Sequence, residues 1–169
     1  EIDVIVYVPR WFDTSRFAGM PVSVQIVKTR FHGPWHRFLW EQFVWRRIIK
    51  NSGADLVFSS ANYGVLFPPI PQMLLVQGEI YLNPIYRERV LPNLSWREQV
   101  SAILRRNLML ISARHSRTTI FPSEVAMNAA LDYDANLSDN SIVNYLGVNP
   151  RFSESARRRQ WREDGTIRL

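Results

Sequence analysis

The sequence predicts an α/β fold with a Rossmann-like, doubly wound parallel sheet. Apolar runs such as residues 2–8 and 73–77 are nearly continuous rather than alternating, which is typical of strands buried on both faces. Segments with helical character separate these runs, and most of the connections between them are short. Strands that alternate with helices in this way are typical of a parallel sheet covered on both sides.

Six strands are predicted in chain order. They lie at residues 2–8, 22–27, 54–60, 73–77, 118–121 and 141–145. Between the third and the fourth, prolines stand at positions 68, 69 and 71. Because proline lacks the amide donor that helices and central strands need, this stretch is predicted as an irregular connection.

Three helices are predicted between the strands, at residues 36–50, 96–115 and 122–131. Pro34 suits the first turn of the first helix, and Gly53 suits the residue just after its end. Pro122 and Glu124 mark the start of the third helix, since a helix N-terminus tolerates proline and attracts negative charge.

The composition is that of one globular domain with a basic balance. Of 169 residues, 46% are hydrophobic, and 21 Lys and Arg face 15 Asp and Glu. The last thirteen residues carry five arginines, at 157, 158, 159, 162 and 168. Such a run can bind nucleic acid, anionic lipid or phosphorylated substrates, or can simply be a solvated tail.

Several chemistries have no support in the sequence. There is no cysteine, and His32, His36 and His115 lack the spacing of metal ligands. No G-x-S-x-G elbow, P-loop or G-x-G-x-x-G is present. Charged residues interrupt the longest apolar segments, so no membrane-spanning helix is expected.

Three segments carry a resemblance to a known family. The first comprises residues 54–64 and 68–77, the second is the strand-to-helix turn at residues 119–124, and the third is residues 142–152. Their order and spacing resemble the N-terminal domain of family 4 retaining glycosyltransferases, which have the GT-B fold. The resemblance covers about residues 2–152.

The resemblance implies a domain organisation and an activity. Residues 1–152 would form the acceptor-side Rossmann-like domain of a GT-B fold without its first βα unit, and residues 153–169 the linker and the start of a C-terminal domain. The complete enzyme would transfer a sugar from a nucleotide-sugar donor to a glycan, lipid-linked or small-molecule acceptor, retaining the anomeric configuration. The donor would bind mainly to that C-terminal domain, so this segment alone is expected to be inactive.

The resemblance also carries expectations about cofactors, partners and location. The only co-substrate expected is the nucleotide sugar, with no metal and no other cofactor. No nucleic-acid partner is expected. The enzyme is expected in the cytoplasm, with peripheral contact at the inner membrane face left open.

The loop after the fourth strand holds the first candidate substrate-binding residues: Gln77, Gly78 and Glu79. Many family members have a histidine where this chain has Gln77. An amide can hydrogen-bond a sugar hydroxyl or a phosphate but cannot exchange protons near neutral pH, so Gln77 would position substrate. The alternatives are a capping role for Gln77 and a solvated loop acid for Glu79. No catalytic residue is assigned.

Four more candidates follow neighbouring strands. Asn62 and Tyr63 would hydrogen-bond and stack on an acceptor sugar, or would simply form a turn. Ser123 and Glu124 would face the cleft at a helix N-terminus, or would be an ordinary cap and first-turn acid. Tyr81 would either pack in the core or a loop, or line the entrance to the acceptor site.

Two other function classes remain open. One is a basic α/β module that binds an anionic membrane or nucleic acid, suggested by the arginine run and by Trp35, Trp40 and Trp45. The five-residue spacing of these tryptophans predicts that they do not share one helix face. The other is a different GT-B-like enzyme, such as an epimerase or a phosphorylase.

Overall fold

The structure is a computed structural model that describes residues 2–29, 33–145 and 147. The chain divides into two compact units, Glu1–Ser52 and Gly53–Leu169. Each unit has a sheet of parallel strands, which confirms the predicted α/β class with parallel strands. The strands lie in two sheets, so one continuous doubly wound sheet stays a prediction, as does the domain boundary at residue 152.

The first unit is built on two strands, β1 (Val4–Pro9) and β2 (Val22–Val27). They pair in parallel along their whole length, from Val4 opposite Val22 to Pro9 opposite Val27. Residues 10–21 make the return connection that parallel pairing requires. Within it, the Asp13 carboxylate accepts a hydrogen bond from the Ser15 amide at 3.0 Å and begins a 3₁₀ turn, Thr14–Phe17.

A helical segment over residues 34–51 completes the first unit. It consists of α1 (Pro34–Trp40), a π-helical turn (Glu41–Trp45) and α2 (Arg46–Asn51), and Gly53 follows it with φ of 72°. The π-helical turn stacks Trp40 on Trp45, with ring centroids 6.3 Å apart. The prediction that these two rings lie on different faces is therefore wrong, because a π turn brings residues five apart together.

The second unit is built on four parallel strands in chain order. They are β3 (Val57–Ser59), β4 (Gln72–Leu75), β5 (Thr118–Phe121) and β6 (Ser141–Val143). Val57, Leu75 and Ile120, from three of the predicted strands, lie in this one sheet. β3, β4 and β6 are shorter than predicted, and β5 has the predicted bounds.

Two long helices follow β4 and β5. The first, α3 (Trp96–Arg114), begins with a capping box in which Ser95 and Glu98 bond each other's backbone amides. The second is α4 (Glu124–Leu131). Short helical turns that the sequence did not predict lie at Glu79–Tyr81, Tyr86–Val90, Leu91–Asn93 and Ala135–Asn140. Within residues 2–29 and 33–145, no helix has the length and apolarity needed to cross a membrane.

The core of the second unit lies on one face of its sheet. Leu74 and Phe121 share that face and pack with Met109 of α3 and Ala126 of α4. Residues of the opposite face are more exposed at the sheet edges, where Phe58 retains 55% of its accessible surface. Burial of the first face against α3 and α4 stabilises the sheet from which the strand-end loops emerge.

Gln72 on β4 is fully buried and makes four side-chain hydrogen bonds. Its Oε1 accepts from the Val65 amide at 3.0 Å and from the Ser59 hydroxyl at 3.1 Å. Its Nε2 donates to the Val65 carbonyl at 3.1 Å and to the Ser116 hydroxyl at 3.0 Å. Both acceptor sites and both donors of the amide are thus occupied.

The network continues into α3 through two serines. The Ser116 hydroxyl donates to the Ser112 carbonyl at 2.8 Å, and the Ser112 hydroxyl accepts from the Gly64 amide at 2.9 Å. Gly64 fits only because it has no side chain, since a Cβ there would lie 2.7 Å from the Ser59 Oγ. The network therefore joins β3, β4, α3 and the start of the proline-rich connection.

A second buried polar group, Asp134, lies after α4. Its carboxylate accepts hydrogen bonds from the Arg114 guanidinium and from the Asn136 amide. The hydrogen bond from Arg114 is the main cause that lowers the pKa of Asp134, with burial opposing it. The ionised form of Asp134 is therefore the form that stabilises the fold.

We expect Gln72→Met to lower the free energy of unfolding by about 3 kcal/mol, because the Val65 amide and carbonyl would be left buried without partners. Urea denaturation measures this change. Met73→Leu, at the next position of β4, is the control and should cost less than about 1.5 kcal/mol. Equal losses in the two variants would contradict a special role for the Gln72 amide.

We expect Asp134→Asn to destabilise the protein at pH 7 but to have little effect in acid. A carboxylate whose folded pKa is lowered stabilises the fold above its unfolded pKa of about 4, and this contribution is lost as pH falls through the folded pKa. Denaturation midpoints between pH 7 and pH 2 test this. Asp139→Asn removes an exposed carboxylate and should show no such convergence with the wild type.

Candidate functional site

The candidate site lies where β3, β4 and β5 end. These parallel strands finish at the same edge of the sheet and continue into residues 60–64, 76–79 and 122–124. All seven predicted substrate-binding residues lie on these three segments. Ligands of parallel α/β sheets bind at this edge, and substrate binding by these residues stays a prediction.

Asn62 joins the first two of these loops. Its Oδ1 accepts a hydrogen bond from the Gly78 amide at 2.7 Å. A Cβ at position 78 would lie 2.9 Å from the Asn62 Nδ2, so glycine permits this close approach. Asn62 thus fixes the loop after β4, rather than serving only the turn in which it stands.

Gln77 is exposed immediately before this contact. Val76, which precedes it, is fully buried, and its amide donates to the Ile120 carbonyl of β5 at 2.9 Å. Within residues 2–29 and 33–145, the Gln77 side chain makes no hydrogen bond. The loop is capped by Asn62, so Gln77 is left as a solvent-exposed amide on a well-anchored backbone.

Ser123 and Glu124 mark the start of α4. The Ser123 Oγ accepts from the Ala126 amide at 3.1 Å, which is the N-cap interaction. Its hydroxyl proton can still be donated to a ligand. Glu124 is exposed in the first turn of the helix, so its carboxylate faces solvent beside the strand ends.

Tyr63, Glu79 and Tyr81 are the remaining candidates, and each has a less accessible side chain or one that the structure does not describe. Tyr63 is half-buried and its side chain or backbone already makes an interaction. Glu79 begins the turn Glu79–Tyr81, and its side chain lies outside what the structure describes. Tyr81 packs against the core and accepts a hydrogen bond from Arg105 at 3.3 Å, in agreement with a packing role.

Asn144 is a residue at this edge that the sequence did not single out. It is exposed directly after β6, and its backbone N–H donates to the Phe121 carbonyl at 2.9 Å. The predicted strand extended to residue 145, which placed Asn144 inside it. The signal that could have found it is the same strand-end rule, applied to a shorter β6.

The chemistry available at the edge is hydrogen bonding. Amide, hydroxyl and carboxylate groups suit the hydroxyls of a polar ligand. In the described part of the chain, no group of three or more His, Asp or Glu side chains could hold a metal ion. His115 has its Nδ1 2.9 Å from the Ile111 carbonyl, His36 is exposed on α1, and His32 lies outside the described residues.

Comparisons with family models, with curated proteins and with solved structures each found no match to this chain. The functional assignment therefore depends on the sequence patterns and on the geometry of the site. Of the third resembling segment, position 146 and positions 148–152 lie outside the described residues, as does the arginine run at residues 157–168.

We expect Asn62→Ala to accelerate hydrogen exchange of the Gly78 amide by about fivefold, because a hydrogen bond contributes about 1 kcal/mol. Amide exchange followed by NMR measures this directly. Gln77→Ala is the matched control, since it removes a neighbouring amide that does not bond Gly78. Unchanged exchange in Asn62→Ala would show that the contact does not hold the loop in solution.

Proposed function

We propose that this chain supplies the acceptor-binding wall of a retaining GT-B glycosyltransferase, of the family 4 type that its sequence resembles. The observation that carries the proposal is the hydrogen bond from the Gly78 amide to Asn62. It brings the loops after β3 and β4 together beside the exposed amide of Gln77. This juxtaposition lies at the strand edge where parallel sheets bind their ligands.

The polar groups at this edge suggest how an acceptor is oriented. Gln77 has a donor and an acceptor available for a sugar hydroxyl or a phosphate. The Asn62 Oδ1 is engaged with Gly78, so Asn62 contributes through its Nδ2. Glu124 can accept from a hydroxyl, and Ser123 can donate its hydroxyl proton. Roles for Tyr63 and Glu79 stay predictions.

The same groups constrain the mechanism. An amide at position 77 cannot take a proton from the acceptor hydroxyl near neutral pH. In a retaining transfer, the leaving phosphate of the nucleotide sugar can take that proton instead. The wall would then act by positioning the acceptor hydroxyl, which is where most of the advantage of a preorganised site arises. The nucleotide sugar would bind mainly to a partner domain.

The test is a transfer assay on the two-domain protein with a panel of nucleotide sugars and sugar acceptors. NMR of the product determines its anomeric configuration, which should match that of the donor. No transfer with any donor, or an inverted product, would overturn the proposal. Release of free sugar phosphate or an epimerised nucleotide sugar would favour the phosphorylase or epimerase alternative.

We expect Gln77→Ala to lower kcat/KM for transfer by about tenfold or more, the effect of losing one hydrogen bond to a charged or reacting group. Because the side chain is exposed and unbonded within the described residues, Tm should not change. Asn128→Ala, which removes an exposed amide on α4, is the control and should leave both quantities unchanged. A wild-type kcat/KM in Gln77→Ala would remove Gln77 from the site.

A further inference from the structure

The first unit contains a groove of its own, separate from the strand-end site. It lies between the β1–β2 sheet and the second half of the helical segment, and its volume is about 480 Å³. That size falls within the range of small-molecule sites, about 300–1,000 Å³. The groove is lined by Tyr7, Gln25, Val44, Arg47, Ile48, Asn51 and Ser52.

The groove has two structured walls. Tyr7 and Gln25 are register partners on β1 and β2, so their side chains share one face of the sheet. The helical residues at positions 44, 47, 48 and 51 have the i, i+3, i+4, i+7 spacing of one helix face. The Tyr7 ring is held edge-on against Trp45, with centroids 4.8 Å apart.

The distribution of polarity on this helix is unusual for a packing surface. A helix that only covers a sheet turns its apolar stripe inward. Here the exposed residues Arg47 and Asn51 line the groove. Leu39 and Phe43 of the same helical segment are exposed too, at 52% and 73%. Arg47 and Asn51, with Val44 and Ile48 between them, give the groove the mixed polar and apolar surface of a ligand site.

No carboxylate in the described part of the first unit neutralises the charge of Arg47. Among residues 2–29 and 33–52, no carboxylate lies within salt-bridge distance of Arg47, and the nearby Glu41 is paired with Arg37 at 2.7 Å. A guanidinium presents a planar fork of donors that matches phosphate oxygens. The groove therefore selects an anion with further groups able to hydrogen-bond amides.

We propose that this groove binds a small phosphorylated polyol, such as a sugar monophosphate. Arg47 would hold the phosphate, and the amides of Gln25 and Asn51 with the Tyr7 hydroxyl would bind the polyol hydroxyls. Val44 and Ile48 offer apolar contact to the carbon face of a sugar ring. This site stands independently of the proposed glycosyl transfer, since it uses no residue of the strand-end loops.

Isothermal titration of the full chain with glucose 6-phosphate, inorganic phosphate and glucose tests the proposal. The sugar phosphate should bind most tightly, inorganic phosphate more weakly, and glucose more weakly still. Absence of glucose 6-phosphate binding at up to about 10 mM, which corresponds to negligible affinity, would overturn it. Equal affinities for glucose and glucose 6-phosphate would overturn the role of the Arg47 guanidinium in holding the phosphate.

Substitutions locate the site. We expect Arg47→Gln to weaken glucose 6-phosphate binding by about tenfold or more, as for a lost charged hydrogen bond. Tyr7→Phe keeps the ring against Trp45 and should weaken binding by about threefold, through loss of one neutral hydrogen bond. Lys50→Gln removes the same charge from the same helix outside the groove and should change binding less than about twofold. If Lys50→Gln and Arg47→Gln weaken binding equally, the attraction is general surface charge and the groove is not the site.

Discussion

The second unit depends on the four hydrogen bonds that the buried side-chain amide of Gln72 makes. The connection between β3 and β4 is rich in proline, so it cannot satisfy its own backbone groups by regular pairing. Gln72 supplies those partners from within the sheet, and Ser112 and Ser116 extend the arrangement to α3. The course of this connection determines where Asn62 lies, and Asn62 in turn holds Gly78. A buried polar network thus orders the exposed edge where ligands would bind.

The parts of the fold that the sequence predicted are those with local signals. β5 and α4 were placed well because a short apolar run, a proline and an N-cap serine follow one another within a few residues. Gln72 was missed as a strand residue because a polar side chain beside Pro71 is typical of a boundary. Its hydrogen-bond partners lie up to 44 residues away, and no local pattern encodes that distance.

The position of the candidate residues at the strand ends was predictable from the sequence, but the contacts between them were not. The rule that parallel strands bind ligands at their carboxyl ends placed Gln77 and Ser123 directly after strands, and the structure has them there. It could not show that Asn62 would be used to hold Gly78, since that depends on how closely two loops approach. The stacking of Trp40 on Trp45 was mispredicted because the helical period changes locally, and a period of 3.6 was assumed.

The π-helical turn at Glu41–Trp45 has a consequence for the chain around it. Such a turn holds one residue more than the α-helical turn it replaces. If the same residues instead wound as a regular α-helix, everything that follows would be rotated by roughly 100° about the helix axis, the angle that one α-helical residue spans. Arg47 and Asn51 would then swing away from the sheet without any change to their own identity. The wider π turn therefore determines which side chains of the helical segment face the first sheet.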